Sequence, residues 1–229
     1  MPGPHLSVIV PMLNEERAIA GTLVALRRGA PGAEVIVVDG GSSDRGVAIA
    51  RPLCDRLVEA PRGRARQMNA GAALATGNAL AFVHADTLVP HDFALAIAAA
   101  LADAQVVGGR FDLAFDDRRL AYRIVAASIN LRSRLSRAGT GDQALFVRRD
   151  IFLRMDGFPA IDLCEDVDFA RRLRRLGRIA CPRARVITSA RRWRDGGLVR
   201  TIVRMWLIKS LFLIGVPPAR LKRAYPDRR

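Results

Sequence analysis

The sequence predicts an α/β domain built on a mostly parallel sheet, and three apolar runs that each end in polar residues predict it. Leu6 to Val10 leads into Pro11-Met12-Leu13-Asn14-Glu15-Glu16, Glu34 to Val38 into Asp39-Gly40-Gly41-Ser42-Ser43-Asp44, and Ala79 to Val83 into His84-Ala85-Asp86-Thr87. Continuous apolar runs of this length suit strands buried on both faces, and the stretches between them call for right-handed crossovers. Strands joined in this way are parallel, and their carboxyl ends share the edge of the sheet where such folds hold ligands. One cleft is therefore expected to collect Asn14, Glu15, Asp39, His84 and Asp86. An aspartate at a strand end also serves as a turn or capping residue, so the set matters more than any one member.

The elements follow in order. After the first strand a helical pattern runs through Leu26, and the Gly40–Asp44 turn offers backbone donors after the second. Pro61 to Gly71 opens basic and glycine-bearing (Arg62-Gly63-Arg64), then turns helical through Ala75. Arginine forks beside a helix start suit a diphosphate, although a solvated basic loop reads the same way. Gly139-Thr140-Gly141-Asp142-Gln143 reads as a glycine loop entering a strand, with Gln143 either lining a pocket or pinning the loop. Ile161 to Leu173 is an amphipathic helix headed by Glu165, Asp166 and Asp168. The helix dipole accounts for one acid in a first turn, whereas an adjacent Glu-Asp pair exceeds what a cap needs.

Charge is divided unevenly along the 229 residues. Residues 1–170 carry 19 basic and 20 acidic side chains, and residues 171–229 carry 18 and 2, so the whole net charge of +15 is C-terminal. No linker or repeat divides the chain, which suggests one domain over 1–197 with a basic helical extension over 198–229. In that extension Leu198 to Ile214 is apolar but broken by Lys209 and flanked by Arg200 and Arg204. It is too interrupted for a spanning helix, and either docks on the core or lies on an anionic leaflet. Cys54, Cys164 and Cys181 form no close pair, which suits a reducing compartment and argues against structural zinc. Without a secretory leader at the N-terminus, the expected location is cytoplasmic, with peripheral binding to the inner face of the plasma membrane left open.

The ordered set Ser-Val-Ile-Val-Pro-Met-Leu-Asn-Glu-Glu, Val-Ile-Val-Val-Asp-Gly-Gly-Ser-Ser-Asp, Arg-Gly-Arg…Met-Asn-Ala-Gly, His-Ala-Asp-Thr, Glu-Asp and Arg-Arg-Trp resembles the family 2 inverting glycosyltransferases of the GT-A fold, a Rossmann-like single domain. Within that family the His-Ala-Asp-Thr and Thr-Gly-Asp-Gln segments look most like a small bacterial branch labelled radical-SAM-associated or arsenosugar-biosynthesis. The resemblance implies that Pro11, Asn14, Glu15 and Asp39 surround the base and ribose of a nucleotide-sugar donor, with UDP the expected nucleotide, and that Arg64 and Asn69 lie near its phosphates. It implies that Asp86, the last residue of a DxD-like motif, holds a divalent cation, Mg²⁺ or Mn²⁺. It further implies that Asp166 is the catalytic base beside Glu165, and that Arg192 and Trp193 help close the site, with Gln143 on the acceptor side. His84 departs from the pattern at the first DxD position; an imidazole there is suited to a ribose hydroxyl.

Two other readings compete. A sugar-phosphate nucleotidyltransferase shares the nucleotide and the metal, but such enzymes open with a glycine-rich basic loop where this chain has Pro11 to Glu16. A non-enzymatic binder of anionic lipid or nucleic acid would use the C-terminal charge. Trp193 and Trp206 are the only tryptophans, so exposed stacking aromatics are scarce and no specific nucleic acid is expected. The acceptor is not encoded by any motif; its pocket is expected around residues 110–145.

Overall fold

The computed structural model describes residues 5–223. Strands β1 (Leu6–Met12), β2 (Glu34–Asp39), β3 (Arg56–Glu59) and β4 (Ala79–Phe82) run parallel, in the spatial order β3-β2-β1-β4. Crossovers between them carry α1 (Ile19–Gly29), α2 (Gly46–Ala50) and α3 (Arg64–Leu74). Beyond β4 comes a two-residue strand, β5 (Thr87–Leu88), then α4 (Phe93–Leu101), β6 (Val106–Gly109), β7 (Asp112–Phe115) and α5 (Leu120–Ser136). The chain continues through β8 (Leu145–Arg148), α6 (Arg149–Arg154), α7 (Glu165–Leu173), β9 (Arg178–Ala180), β10 (Arg185–Thr188), α8 (Arg191–Gly196), α9 (Leu198–Leu213) and α10 (Pro218–Arg223). β8 joins β4 antiparallel, and β6 and β9 complete a seven-stranded sheet.

The apolar runs are continuous because both sheet faces are covered. Val8, Val10, Val35 and Val37 point to the layer holding α1 and α4, while Ile9, Ile36, Val38 and Phe82 point to α3, α6 and α7. Each such side chain taken from water contributes about 1.5–3 kcal/mol. Gly71 lets α3 lie directly on the sheet, since a Cβ there would sit 2.5 Å from Ile9 Cγ2. On the same face Phe169 of α7 stacks on Phe158 at 4.2 Å between centroids, with Phe82 and Phe152 around them. That aromatic cluster fixes the helix whose first turn carries Glu165 and Asp166.

Two features depart from the sequence reading. The third apolar run forms β4, which ends at Phe82, and beyond it Thr87–Leu88, unanticipated as a strand, pairs antiparallel with β10 in a second, three-stranded sheet of order β5-β10-β7. His84, Ala85 and Asp86 therefore lie in the bend between two sheets. The C-terminal segment, posed as either docked or lipid-facing, has a face for each. Thr201 and Ile208 of α9 are buried, and Leu198, Ile202 and Met205 pack on the Tyr122–Trp193 cluster, yet Val199, Val203, Trp206, Leu207 and Ile214 stay exposed. Among the described residues no helix is long and apolar enough to cross a membrane.

Candidate active site

Because β2, β1 and β4 are neighbours and parallel, their carboxyl ends meet, as the sequence requires. Asp39 closes its own turn: Oδ2 accepts from the amides of Gly41 and Ser42 at 3.0 and 2.9 Å, and Oδ1 accepts from Ser42 Oγ at 2.5 Å. Asn14, in a left-handed conformation (φ 53°), donates its amide to Ser42 Oγ and accepts from Ser43 N at 2.8 Å. Pro11 is buried inside β1 beside them. Glu15 is buried at 3% exposure and receives Arg191 Nη2 on both oxygens, at 3.0 and 2.9 Å. Burial pulls Arg191 down, and the Glu15 contact more than restores it, leaving it raised. This pair joins residues 176 positions apart, so no local pattern in the sequence announces it; Arg192-Trp193 is the readable part of the motif.

The second half of the site comes from the loop before β8 and from α7. Gly141 N donates to Asp166 Oδ2 at 2.6 Å, and the other oxygen accepts from Val167 N at 2.7 Å. Only glycine permits this approach, since a Cβ at 141 would stand 2.7 Å from His84 Nε2 and 3.5 Å from Asp166 Oδ2. His84 Nδ1 lies 3.1 Å from Asp142 Oδ1. The imidazole, expected at a ribose hydroxyl, is turned into the loop and buried, with Asp142 beside Nδ1 and the glycine at 141 leaving room for Nε2. Asp142 itself was not singled out by the sequence, although the glycines on either side of Thr140 mark a loop that comes close to something.

Three further expected site residues make contacts within the protein. Gln143 is fully buried; its Oε1 accepts from Ser133 Oγ at 2.9 Å and Thr140 N at 3.2 Å, while Nε2 donates to Phe111 O at 3.3 Å. Of its two possible roles it pins the loop rather than lining a pocket. Asn69 uses both ends of its amide on the backbone of Phe158, at 2.9 Å each, so it anchors that segment. Trp193, expected to help close the site, is buried against Phe115, with ring centroids 5.3 Å apart, and seats α8.

The charges of the site centre on Arg64. Burial alone lowers its pKa, but Glu165, Asp142, Asp166 and Asp86 outweigh that and raise it. Burial, with Asp166 alongside, pushes the Glu165 carboxyl up to about 7 against the pull of Arg64. For Asp142 burial works upward, and the contact with His84, helped by Arg192 and Arg64, holds it well below the usual carboxylate range. Burial and the two acids raise the neighbouring Cys164 thiol to about 12, so it is no nucleophile. Among the described residues no group of three or more His, Cys, Asp or Glu side chains can hold a metal. A hard cation held by one carboxylate plus substrate phosphates needs no such group, and Asp86, partly exposed, carries the right donor for that mode.

The profile described as Glycosyl transferase family 2 matches residues 7–158. The chain belongs to glycosyltransferase family 2. Curated relatives named PGL/p-HBAD biosynthesis glycosyltransferase, from Mycobacterium bovis and Mycobacterium tuberculosis, are 32% identical over 164 residues, covering 66% of this chain. The chain spans 62% of the length of those relatives. Among solved structures, the Pyrobaculum calidifontis mannosyltransferase with GDP-Man and Mn²⁺ aligns at TM-score 0.62 and 24% identity, over 81% of this chain and 56% of that one. S. aureus TarS with UDP-GlcNAc aligns at 0.67 and 22%, over 80% and 58%. Mycobacterium tuberculosis glucosyl-3-phosphoglycerate synthase with Mn²⁺ and UDP aligns at 0.62 and 20%, over 94% and 81%. At these identities the likenesses establish the GT-A fold of the glycosyltransferase.

Proposed function

We propose that the enzyme transfers a sugar from a nucleoside diphosphate sugar, with UDP the nucleotide, to an acceptor hydroxyl with inversion at the anomeric carbon. The observation that carries this reading is the convergence of Asp86, Asp142, Glu165 and Asp166 on Arg64 at the carboxyl edge of the sheet. In the single displacement the acceptor oxygen bonds to the anomeric carbon as the carbon–oxygen bond to the diphosphate breaks. The electron pair leaves on the nucleoside diphosphate, and the acceptor proton passes to the Asp166 carboxylate. Arg64 and Arg192 offset charge gathering on the departing diphosphate, and Glu15, Asp39 and Asn14 frame the nucleoside. His84, Asn69, Gln143 and Trp193 hold the loops and helices that carry these groups. A divalent cation, Mg²⁺ or Mn²⁺, bound at Asp86 would neutralise phosphate charge. Of the three solved structures described, two carry a uridine nucleotide and one GDP-Man, which favours UDP. The His-Ala-Asp-Thr and Thr-Gly-Asp-Gln segments support membership of the radical-SAM-associated or arsenosugar-labelled branch.

The test is a thermal-shift titration with UDP and GDP, each with and without Mn²⁺, since a ligand of the native state raises apparent stability by mass action. The expected result is a Mn²⁺-dependent shift with UDP that Asp86→Ala removes. A shift with GDP alone overturns the choice of base, and a folded protein that shifts with neither overturns the donor reading in favour of an anion-binding role.

A second reading concerns location. The exposed Val199, Val203, Trp206 and Leu207 of α9 share one face, with Arg200 and Arg204 beside them, and this favours peripheral attachment to an anionic leaflet. The full chain is expected to co-sediment with phosphatidylglycerol vesicles and V203S/W206S to remain in solution; equal sedimentation of both overturns the attachment.

A further inference from the structure

Asp166 is reached by a second group of cations that the donor reading does not use. Two packing arrangements bring them there. Ser133 near the end of α5 is tied to Gln143 in the loop whose Gly141 amide holds Asp166, and Arg132 immediately precedes Ser133. On the other side, Ile208 of α9 is buried against Cys164, with Leu163 and Val167 around them, and Lys209 follows Ile208. Arg132 and Lys209 thus neighbour residues packed toward the head of α7 on two different helices, and Asp166 acts electrostatically on both. The Nε of Arg132 is buried and has no hydrogen-bond partner. Arg110 Nε is likewise buried and without a partner, but Arg110 and its neighbour Arg134 both bond Asp112 through their terminal nitrogens, at 2.8 and 2.7 Å.

The electrostatic surroundings are equally uneven. Burial lowers Arg132, with Asp166 pulling upward and Arg110 downward. Burial lowers Lys209 too, and Arg132 repels it, while Asp166 and Cys164 only partly compensate. Asp166 is the one carboxylate that acts on Arg64 and also on this pair, so it stands between two cationic groups. Two partly desolvated like charges side by side are costly unless an anion joins them.

We infer that Arg132 and Lys209 are the anion-binding part of the acceptor site, and that the acceptor carries a phosphate group close to the hydroxyl that attacks the sugar. This inference rests on the donor reading above, which places the reacting hydroxyl at Asp166. A phosphate carries about −1.5 to −2 charge near neutral pH and suits two adjacent cations, one of them a planar fork. Without such a pair, an anionic acceptor would be repelled by Glu165, Asp166 and Asp142 before its hydroxyl reached the base. The same phosphate chemistry is offered by a soluble phosphorylated alcohol and by a hydroxyl-bearing lipid headgroup.

Binding of sn-glycerol 3-phosphate and of inorganic phosphate is measured by calorimetry on the full chain saturated with UDP and Mn²⁺, and phosphatidylglycerol vesicles provide the lipid arm. The wild type and R132Q/K209Q are compared with R171Q/R175Q, which removes the same charge from the exposed side of α7 and beyond it. The expected result is a loss of about tenfold or more in affinity for the soluble phosphates in R132Q/K209Q alone, with UDP binding unchanged. If only the vesicles bind, and R132Q/K209Q alone weakens them, the phosphate belongs to a lipid headgroup. If no phosphate binds the wild type, or R132Q/K209Q binds as the wild type does, the inference is overturned while the donor reading stands on its UDP titration.

Discussion

The two sides of the cleft handle their charges differently. Where β1 and β2 end, the protein itself meets the polar groups: Asp39 by Gly41 and Ser42, Asn14 by Ser42 and Ser43, Glu15 by Arg191, and Asp44 by the amides of Glu16 and Gly46. Where α5, α7 and α9 meet, two carboxylates adjoin in one turn and Arg132 has a bare buried nitrogen. Left-handed non-glycine backbone occurs on both sides, at Asn14 (φ 53°) on the first and at Ala144 and Cys164 (φ 46° and 66°) on the second, and of these asparagine tolerates it best. The first side is a mould complete by itself; the second carries unmatched charge that a substrate can relieve.

That contrast can be broken most sharply at Asp166. Asp166→Asn is expected to lower transfer by about 100-fold or more while UDP binding persists, because only the proton acceptor is lost. Near-normal turnover would remove Asp166 from the role of base. Next in size is the support of α7: Phe169→Ala, which empties a fully buried ring site, should cost about 3–5 kcal/mol in urea denaturation. A cost below about 1 kcal/mol, within the range of tolerated volume-conserving changes, would mean that the aromatic cluster does not hold the helix. Gly141→Ala should cost about 1–3 kcal/mol through the crowding of His84, with a loss of transfer larger than the loss of stability explains. An unchanged midpoint and rate would show that the loop yields freely.

A further effect is one of pH. Glu165 is raised in the folded state from 4.5 to about 7, so the folded protein holds the proton longer than the unfolded chain. Its contribution is therefore most favourable below pH 4.5 and is lost as pH rises to about 7. Glu165→Gln should gain stability relative to the wild type across that window and keep the gain above it. A flat difference between the two proteins from pH 4.5 to 8 would show that Glu165 titrates ordinarily.

The parts of the site that sequence made legible are those written in contiguous residues. An apolar run ending in Asp39 or Asp86 announces a buried parallel strand and the edge on which it opens, and the Glu-Asp pair announces a helix head too acidic for capping alone. The second sheet was illegible because β5 has two residues and takes its order from pairing with β10, a hundred positions away. Gln143, Asn69 and Trp193 sit inside recognisable motifs, yet they act on backbone and rings that only the fold brings near them. Arg191, Asp142, Arg132 and Lys209 carried no signal of their own, because an arginine in a basic helix or an aspartate in a loop looks solvated until its burial is known.

The Glu15–Arg191 pair also has a consequence for how the protein comes into being. Arg191 is synthesised 176 residues after Glu15, so the acid waits for its cation until the intervening chain has been made. That side of the cleft is complete only when β10 slots between β5 and β7 and delivers α8. Its completion is in this way a late event, set by long-range pairing rather than by the strands that shape the edge.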